Sequence, residues 1–203
     1  MLLISVIESG IMGAQLAQGN DAITLLANAI ATGCMLYVII TVLGPISGAH
    51  FNSAVSLAFA LRGELSGVAF AGFVTAQITG AFIGVWAAHA MFDLPVFQIS
   101  QTMHRTGSAQ WTSEALATLG LLFVIFGGLR ARPDAVPTLV ALYITGAYWF
   151  TSSTSFANPA VTLARGFSDT FAGINPSHIA IFIVVQVVAV LIGHIALKQL
   201  LDE

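Results

Sequence analysis

Asn52-Ser53-Ala54-Val55-Ser56-Leu57-Ala58 returns 106 positions later as Asn158-Pro159-Ala160-Val161-Thr162-Leu163-Ala164. Five of the seven positions are identical, and Ser56/Thr162 is conservative. Each copy opens a short apolar stretch, residues 53–61 and 159–167, behind a loop of small and polar residues. Neither stretch can cross a bilayer, because a spanning helix needs about 20 apolar residues. Such segments read as re-entrant half-helices, whose irregular loops are tolerated at membrane depth only where they line a polar cavity. A second echo accompanies the first: Ala76-Gln77 before Gly84 parallels Val185-Gln186 before Gly193.

Working outward, apolar runs at 22–43, 67–91, 112–129, 136–150 and 178–200 read as membrane spans, with a shorter one at 2–16. The expected fold is an all-α membrane protein with six transmembrane helices plus two re-entrant half-helices. Three spans per half is an odd number, so the two repeats, about 1–91 and 112–203, must be inverted within one transmembrane domain covering 1–203. Composition agrees. The chain is 57% hydrophobic and 7% charged, with mean hydropathy +0.92, against roughly 25% charged residues in soluble domains. Lipid is therefore the expected solvent and partner. A net charge of −3 with six Lys plus Arg argues against nucleic acid, which needs a basic face. The lone Cys34 excludes an intrachain disulfide and reads as a small helix-packing residue. Neither a cleavable leader nor an attached soluble module is expected. Six spans place Arg62, Arg130, Arg132 and Lys198 on one side, with Arg105 opposite and Arg165 on the second half-helix. The positive-inside rule makes the first side cytoplasmic, with both termini there.

The two loops imply one shared aqueous path. Asn52 and Asn158 each stand at a half-helix start, where the side-chain oxygen caps backbone N–H groups. The amide NH₂ is then free to point into the lumen. Both helix N-termini meet there, each carrying about half a positive charge. That pair repels cations and orients a passing water, so the path takes neutral molecules.

With these residues in place, the chain resembles the aquaporin, or major intrinsic protein, family. Ser47-Gly48-Ala49-His50-Phe51-Asn52-Ser53-Ala54-Val55 is similar to its first signature loop, and Phe156-Ala157-Asn158-Pro159-Ala160-Val161 to its second. Glu114 resembles the buried glutamate that braces the loop backbone, and Gln77 and Gln186 match glutamines of the third and sixth spans. The resemblance implies the aquaporin fold, a homotetramer in the plasma membrane, a passive channel rather than an enzyme, and neither cofactor nor metal. Carried over by spacing from the asparagines, the outer selectivity filter falls on Thr32, Gly146, Ser155 and Val161. Strict water channels have Phe, His, a small residue and Arg there, so this filter should be wide and lack a fixed charge. It resembles those of bacterial members that pass arsenite, as does the stretch from Ala147-Tyr148-Trp149-Phe150-Thr151 through Asn158, with Arg165 and 169–174. The implied solutes are water, glycerol and neutral metalloid acids such as arsenite.

Two departures stand out. Ser53 replaces a proline, which changes stability more than permeation. The glutamate of the family's first span would precede Met1, so part of that helix is expected upstream, and Glu8 sits within the remaining apolar run. Glu8 reads either as a functional intramembrane carboxylate or as a residue near the cytoplasmic interface. His50 either gates the cytoplasmic mouth or shapes its loop. Arg165 faces either the outer vestibule or a neighbouring loop. His89, His104, His178 and His194 lack metal spacing and read as packing or interfacial residues. Gly80 and Gly84 form a small-xxx-small helix-packing pair. Residues 151–155 are rich in Ser and Thr but have no spaced base, so no hydrolase motif exists. A water-selective pore is the alternative channel. A secondary transporter with inverted repeats would need titratable midplane groups, for which only Glu8 and Glu114 are candidates.

Overall fold

The computed structural model describes residues 1–201, and eight α-helices with two short 3₁₀ turns and no strand account for its regular structure within them. In chain order they are α1 (Leu2–Leu16), α2 (Asp21–Ser47), α3 (Ser53–Leu61), α4 (Gly67–Met91), α5 (Ser108–Ala131), α6 (Val136–Phe150), α7 (Pro159–Arg165) and α8 (Ile179–Leu201). Among the described residues, four helical stretches are long and apolar enough to cross a bilayer: Asp21–Ser47, Gly67–Met91, Ser108–Ala131 and Pro176–Leu201. At 15 residues each, α1 and α6 reach about 22 Å, short of the roughly 30 Å hydrocarbon core. A 3₁₀ turn at Pro133–Ala135 leads into α6, and the chain leaves α6 through an irregular segment towards Asn158.

Apolar runs locate the helices, but backbone chemistry ends them. α2 runs past Pro45 to Ser47, four residues beyond the apolar run, and ends on a left-handed Gly48 at φ 73°, as a glycine C-cap allows. Asn20 starts it by accepting from Ala22 N and Ile23 N at 3.1 and 3.2 Å. Second-half ends also shift: α5 begins at Ser108 and α7 ends at Arg165.

Packing follows the repeat. α1 lies on α2 and α4 as α5 lies on α6 and α8, while α2 meets α6 across the molecule. The half-helices bridge the halves: α3 packs on α4 and α8, and α7 on α8 and α4. Gly84 of α4 admits α1 closely, since a Cβ there would stand 3.0 Å from the Leu3 Cβ. Gly80 faces open space instead, so only one of the small-xxx-small pair packs. Cys34, expected to pack between helices, is on the exposed face of α2 in the single chain, because its helical phase points outward. The solvent preference is inverted relative to a soluble protein. Glu114 and Gln186 are 0% exposed, whereas Val68 is 87% exposed; buried polar groups must then be hydrogen-bonded, and lipid takes the apolar face.

At the α7 end, two long loops are fastened to each other. The Asp169 carboxylate accepts from Gln101 N, Thr102 N and Thr102 Oγ1 at 2.8, 3.0 and 2.9 Å. The Thr102 and Gln101 amides hold that carboxyl below the usual range. A depressed folded pKa means the tie is complete above the unfolded value of about 3.9 and is lost only as pH falls through the lower folded one. At neutral pH, Asp169→Ala should therefore raise amide hydrogen exchange several-fold at Gln101 and Thr102. Unchanged exchange would mean that Ser100 N to Gly166 O and Asn175 N to Met103 O, at 2.9 and 2.8 Å, suffice alone.

Candidate functional site: a lumen between two capped half-helices

The two repeat motifs meet head to head. Asn52 Oδ1 accepts from Ala54 N and Val55 N at 2.8 and 3.4 Å. Asn158 Oδ1 accepts from Ala160 N and Val161 N at 3.1 and 3.4 Å. Each side-chain amide also crosses to the other loop. Asn52 Nδ2 donates to Ala157 O at 2.7 Å, and Asn158 Nδ2 donates to Phe51 O at 2.8 Å. Of the two N–H donors on each amide, one is thus committed to fixing the loops together. The expectation of a wholly free NH₂ is corrected accordingly, and one donor per asparagine remains for the lumen.

The repeat extends to the backbone. Ala49 and Phe51 have φ 48° and 45°, and their counterparts Ser155 and Ala157 have 50° and 46°. A left-handed non-glycine residue costs about 1–2 kcal/mol, so four of them in matched positions need strong anchorage. Gln77 Nε2 donates to Ser56 Oγ at 3.0 Å, and Gln186 Nε2 to Thr162 Oγ1 at 2.8 Å. The second loop is further held by Glu114, fully buried. Glu114 accepts from Phe156 N at 3.2 Å, from Ala157 N, and from Gln186 Nε2 at 2.7 Å. In the first loop Ser53 Oγ donates to Gln77 Oε1 at 2.8 Å, a bond that the usual proline could not make. His50 pairs through Nδ1 with Ser56 Oγ at 3.1 Å and stacks on Phe59 and Phe73, with centroids at 4.5 and 4.9 Å.

A cavity of about 130 Å³ runs from His50, past both asparagines, to Arg165. Leu36, Ile40, Leu121, Ile125, Val140 and Ile144 form its apolar wall. Thr32, Ser155 and Val161 line it as expected, but Gly146 does not. Gly146 lies on the exposed face of α6, and Tyr148, two residues on, faces the cavity. Two residues are about 200° of helix, so the spacing rule picked the opposite side. Tyr148 OH and Thr32 Oγ1 are 3.3 Å apart, and Ser155 Oγ is buried without a partner. Because Gly146 points away, Gly146→His should leave solute flux in liposomes near the wild-type rate. A strong block would return that residue to the constriction.

A second correction concerns charge. Arg165, 2% exposed, lines the cavity and is the permanently charged residue among those that do. Its Nε donates to Ala172 O, so it meets the neighbouring loop and the lumen together. Arg165 is four residues past Val161, one helical turn, so both alternatives that the sequence offers for it, the outer vestibule and a neighbouring loop, hold at once. Glu8 is not among the lining residues, and its Oε1 is buried without a partner. His89 joins Val96 O and Ser168 Oγ, both at 2.9 Å, as a packing residue.

Comparison with known proteins agrees with this geometry. Residues 1–153 match the family described as major intrinsic protein. The chain is 50% identical over 202 residues to the aquaglyceroporin AqpS of Rhizobium meliloti (strain 1021), covering 100% of this chain and 86% of that protein. It is 32% identical over 176 residues to aquaporin NIP2-1 of Oryza sativa subsp. japonica, covering 82% and 56%. It is 30% identical over 135 residues to the lens fiber major intrinsic protein of Gallus gallus, covering 64% and 52%. The chain thus spans about half the length of these last two relatives.

Proposed function

The chain belongs to the major intrinsic protein family, a family of membrane channels, and on that premise we propose that it passes water, glycerol and neutral metalloid acids such as arsenous acid passively. It is a multi-pass membrane protein and a channel for small neutral solutes. One observation carries the reading: two asparagines cap opposed half-helices, bond across to each other's loops, and both line a single cavity. A neutral solute gives up hydration in that cavity and is offered one amide N–H from each asparagine, while the positive helix ends oppose cations. The name of the relative AqpS supports glycerol as a solute.

In this reading residues 1–203 form one domain of two inverted repeats. Asn52, Ser53, Ala54, Asn158, Pro159 and Ala160 form the midpoint, and His50 and Glu114 support its loops. Thr32, Tyr148, Ser155 and Val161 form the constriction on the α7 side. Both termini are cytoplasmic in the plasma membrane, so that constriction faces outward, as Arg62, Arg130, Arg132 and Lys198 at the other end support. The exposed apolar helix faces suit both lipid and a homotetramer.

A water-selective pore is the second reading, favoured by the presence of Tyr148 and Arg165 in the lumen wall. Stopped-flow swelling of proteoliposomes separates the two. Passage of water, glycerol and arsenous acid is expected, with rates independent of a proton gradient. Water flux without either solute would establish the selective pore, and dependence on the gradient would establish coupled transport.

A further inference from the structure

Arg105 and Arg165 are both buried, at 7% and 2% exposure, and neither has a carboxylate partner among the described residues. A buried cation without a counter-charge is costly, so each must be held by other means. For Arg105 the means are carbonyls and a hydroxyl, which take four of its five N–H groups. Nε donates to Gly173 O at 2.9 Å, Nη1 to Ser153 O at 3.4 Å and Thr154 Oγ1 at 3.3 Å, and Nη2 to Phe171 O at 3.4 Å. Gly173 is tightly enclosed, since a Cβ there would meet Ser168 O at 2.3 Å and Ser100 Oγ at 2.6 Å. Arg105 is thereby a fixed strut between two loops.

Arg165 differs. Nε alone is bonded, to Ala172 O; Nη1 and Nη2 have no acceptor among the described residues. Its guanidinium carbon stands 3.5 Å from the centroid of the Phe156 ring, and that of Arg105 stands 5.1 Å from the same centroid. Phe156 is itself fixed, by its N–H on Glu114 Oε2 and by an edge contact with Phe182 at 5.5 Å. The guanidinium plane is therefore set by a ring on one side and a carbonyl at Nε. Its unbonded edge carries four N–H groups, and Arg165 lines the cavity. A planar fork with two parallel donors matches two neighbouring oxygens and no lone amine.

We propose that Arg165 is the specificity-determining cation of the α7-side mouth, a bidentate donor for neutral solutes bearing two adjacent or geminal oxygens, with Phe156 and Arg105 as positioning residues. The proposal rests on the channel reading and names the class of solute that the pore favours: polyols and polyhydroxy acids over solutes of similar size with a single acceptor. Arg165 also puts a permanent charge in the lumen wall one helical turn beyond Val161, which adds to the cation barrier at the asparagines.

The test compares liposomes holding wild type, Arg165→Leu and Arg165→Lys, with water, glycerol, urea and methylammonium fluxes measured on each. Water flux reports a folded, open pore. Arg165→Leu should lower the glycerol-to-urea ratio about tenfold, the worth of one charge-assisted hydrogen bond pair, and raise methylammonium leakage above wild type, with the helix ends at the asparagines still opposing it. Arg165→Lys keeps the charge without the fork, so it should lower the ratio and still exclude methylammonium. Arg105→Gln, with Arg165 intact, should shift the ratio in the same direction by less. The proposal is overturned if either Arg165 variant passes water and keeps the wild-type ratio, or if both lose water flux, which would assign Arg165 to folding alone. A wild type that passes no solute at all would overturn the channel reading instead.

Discussion

Glu114→Ala is expected to abolish flux by losing the folded protein. The carboxylate accepts from Phe156 N, Ala157 N and Gln186 Nε2 in a fully buried site. Removing it leaves three buried donors unsatisfied, each costing about 1–3 kcal/mol. It also releases Ala157, whose φ of 46° is sustained only by its surroundings. The sum is comparable to the whole stability of a typical domain, about 5–15 kcal/mol. Glu114→Gln keeps the shape but offers one acceptor oxygen and turns an NH₂ against donors, so it should fall between wild type and Ala. The measurement is the monodisperse yield in detergent and its thermal midpoint, followed by water flux of whatever reconstitutes. Wild-type yield and flux for Glu114→Ala would show that the bonds of Asn52 Nδ2 and Ser53 N across the loops (2.7 and 3.4 Å) hold the second loop unaided.

Much of this architecture is legible in the sequence because repetition is a linear signal. The motif at Asn52 and Asn158 locates both half-helix starts to the residue, since an N-cap is a local property of one side chain. Gln77 and Gln186 are found as an echo, and the structure gives them the same bond, to Ser56 and Thr162. Helix ends are less legible. Gly48 stops α2 by its backbone freedom, while hydropathy already stops at Leu43. The constriction is least legible, because it depends on which way a helix is turned. An offset counted from Asn158 crosses the irregular segment 151–157 before reaching α6, and any slack there rotates the choice by about 100° per residue. That slack exchanges Gly146 for Tyr148. Arg105 and Arg165 lie far apart in the chain and share a ring only because Asp169 and Asn175 join their loops. A pattern of spacings within one motif holds no trace of that pairing.

Val161→Arg should reduce glycerol and arsenous acid flux by about tenfold or more and water flux by much less. Val161 lines the cavity within a buried environment, at 6% exposure. It shares a face with Arg165, since residues four apart on a helix are neighbours. The longer side chain must extend into a lumen of about 130 Å³, and it brings five donors and a permanent charge. A solute wider than water loses the space it needs between Val161, Thr32 and Tyr148, whereas water can pass by exchanging bonds with the new guanidinium. The second cation also repels Arg165 across one turn, which holds the new side chain towards the open part of the lumen. Val161→Leu separates the two causes by adding volume without charge. If narrowing dominates, leucine should produce part of the glycerol loss. If charge and donors dominate, leucine should leave glycerol flux unchanged. A tenfold loss corresponds to about 1.4 kcal/mol on the barrier, within what one misplaced polar contact supplies. Equal losses of water and glycerol in Val161→Arg would mean simple occlusion of the pore. No loss of either would place the rate-limiting constriction elsewhere along the cavity, with the asparagine pair that also lines it as the first candidate.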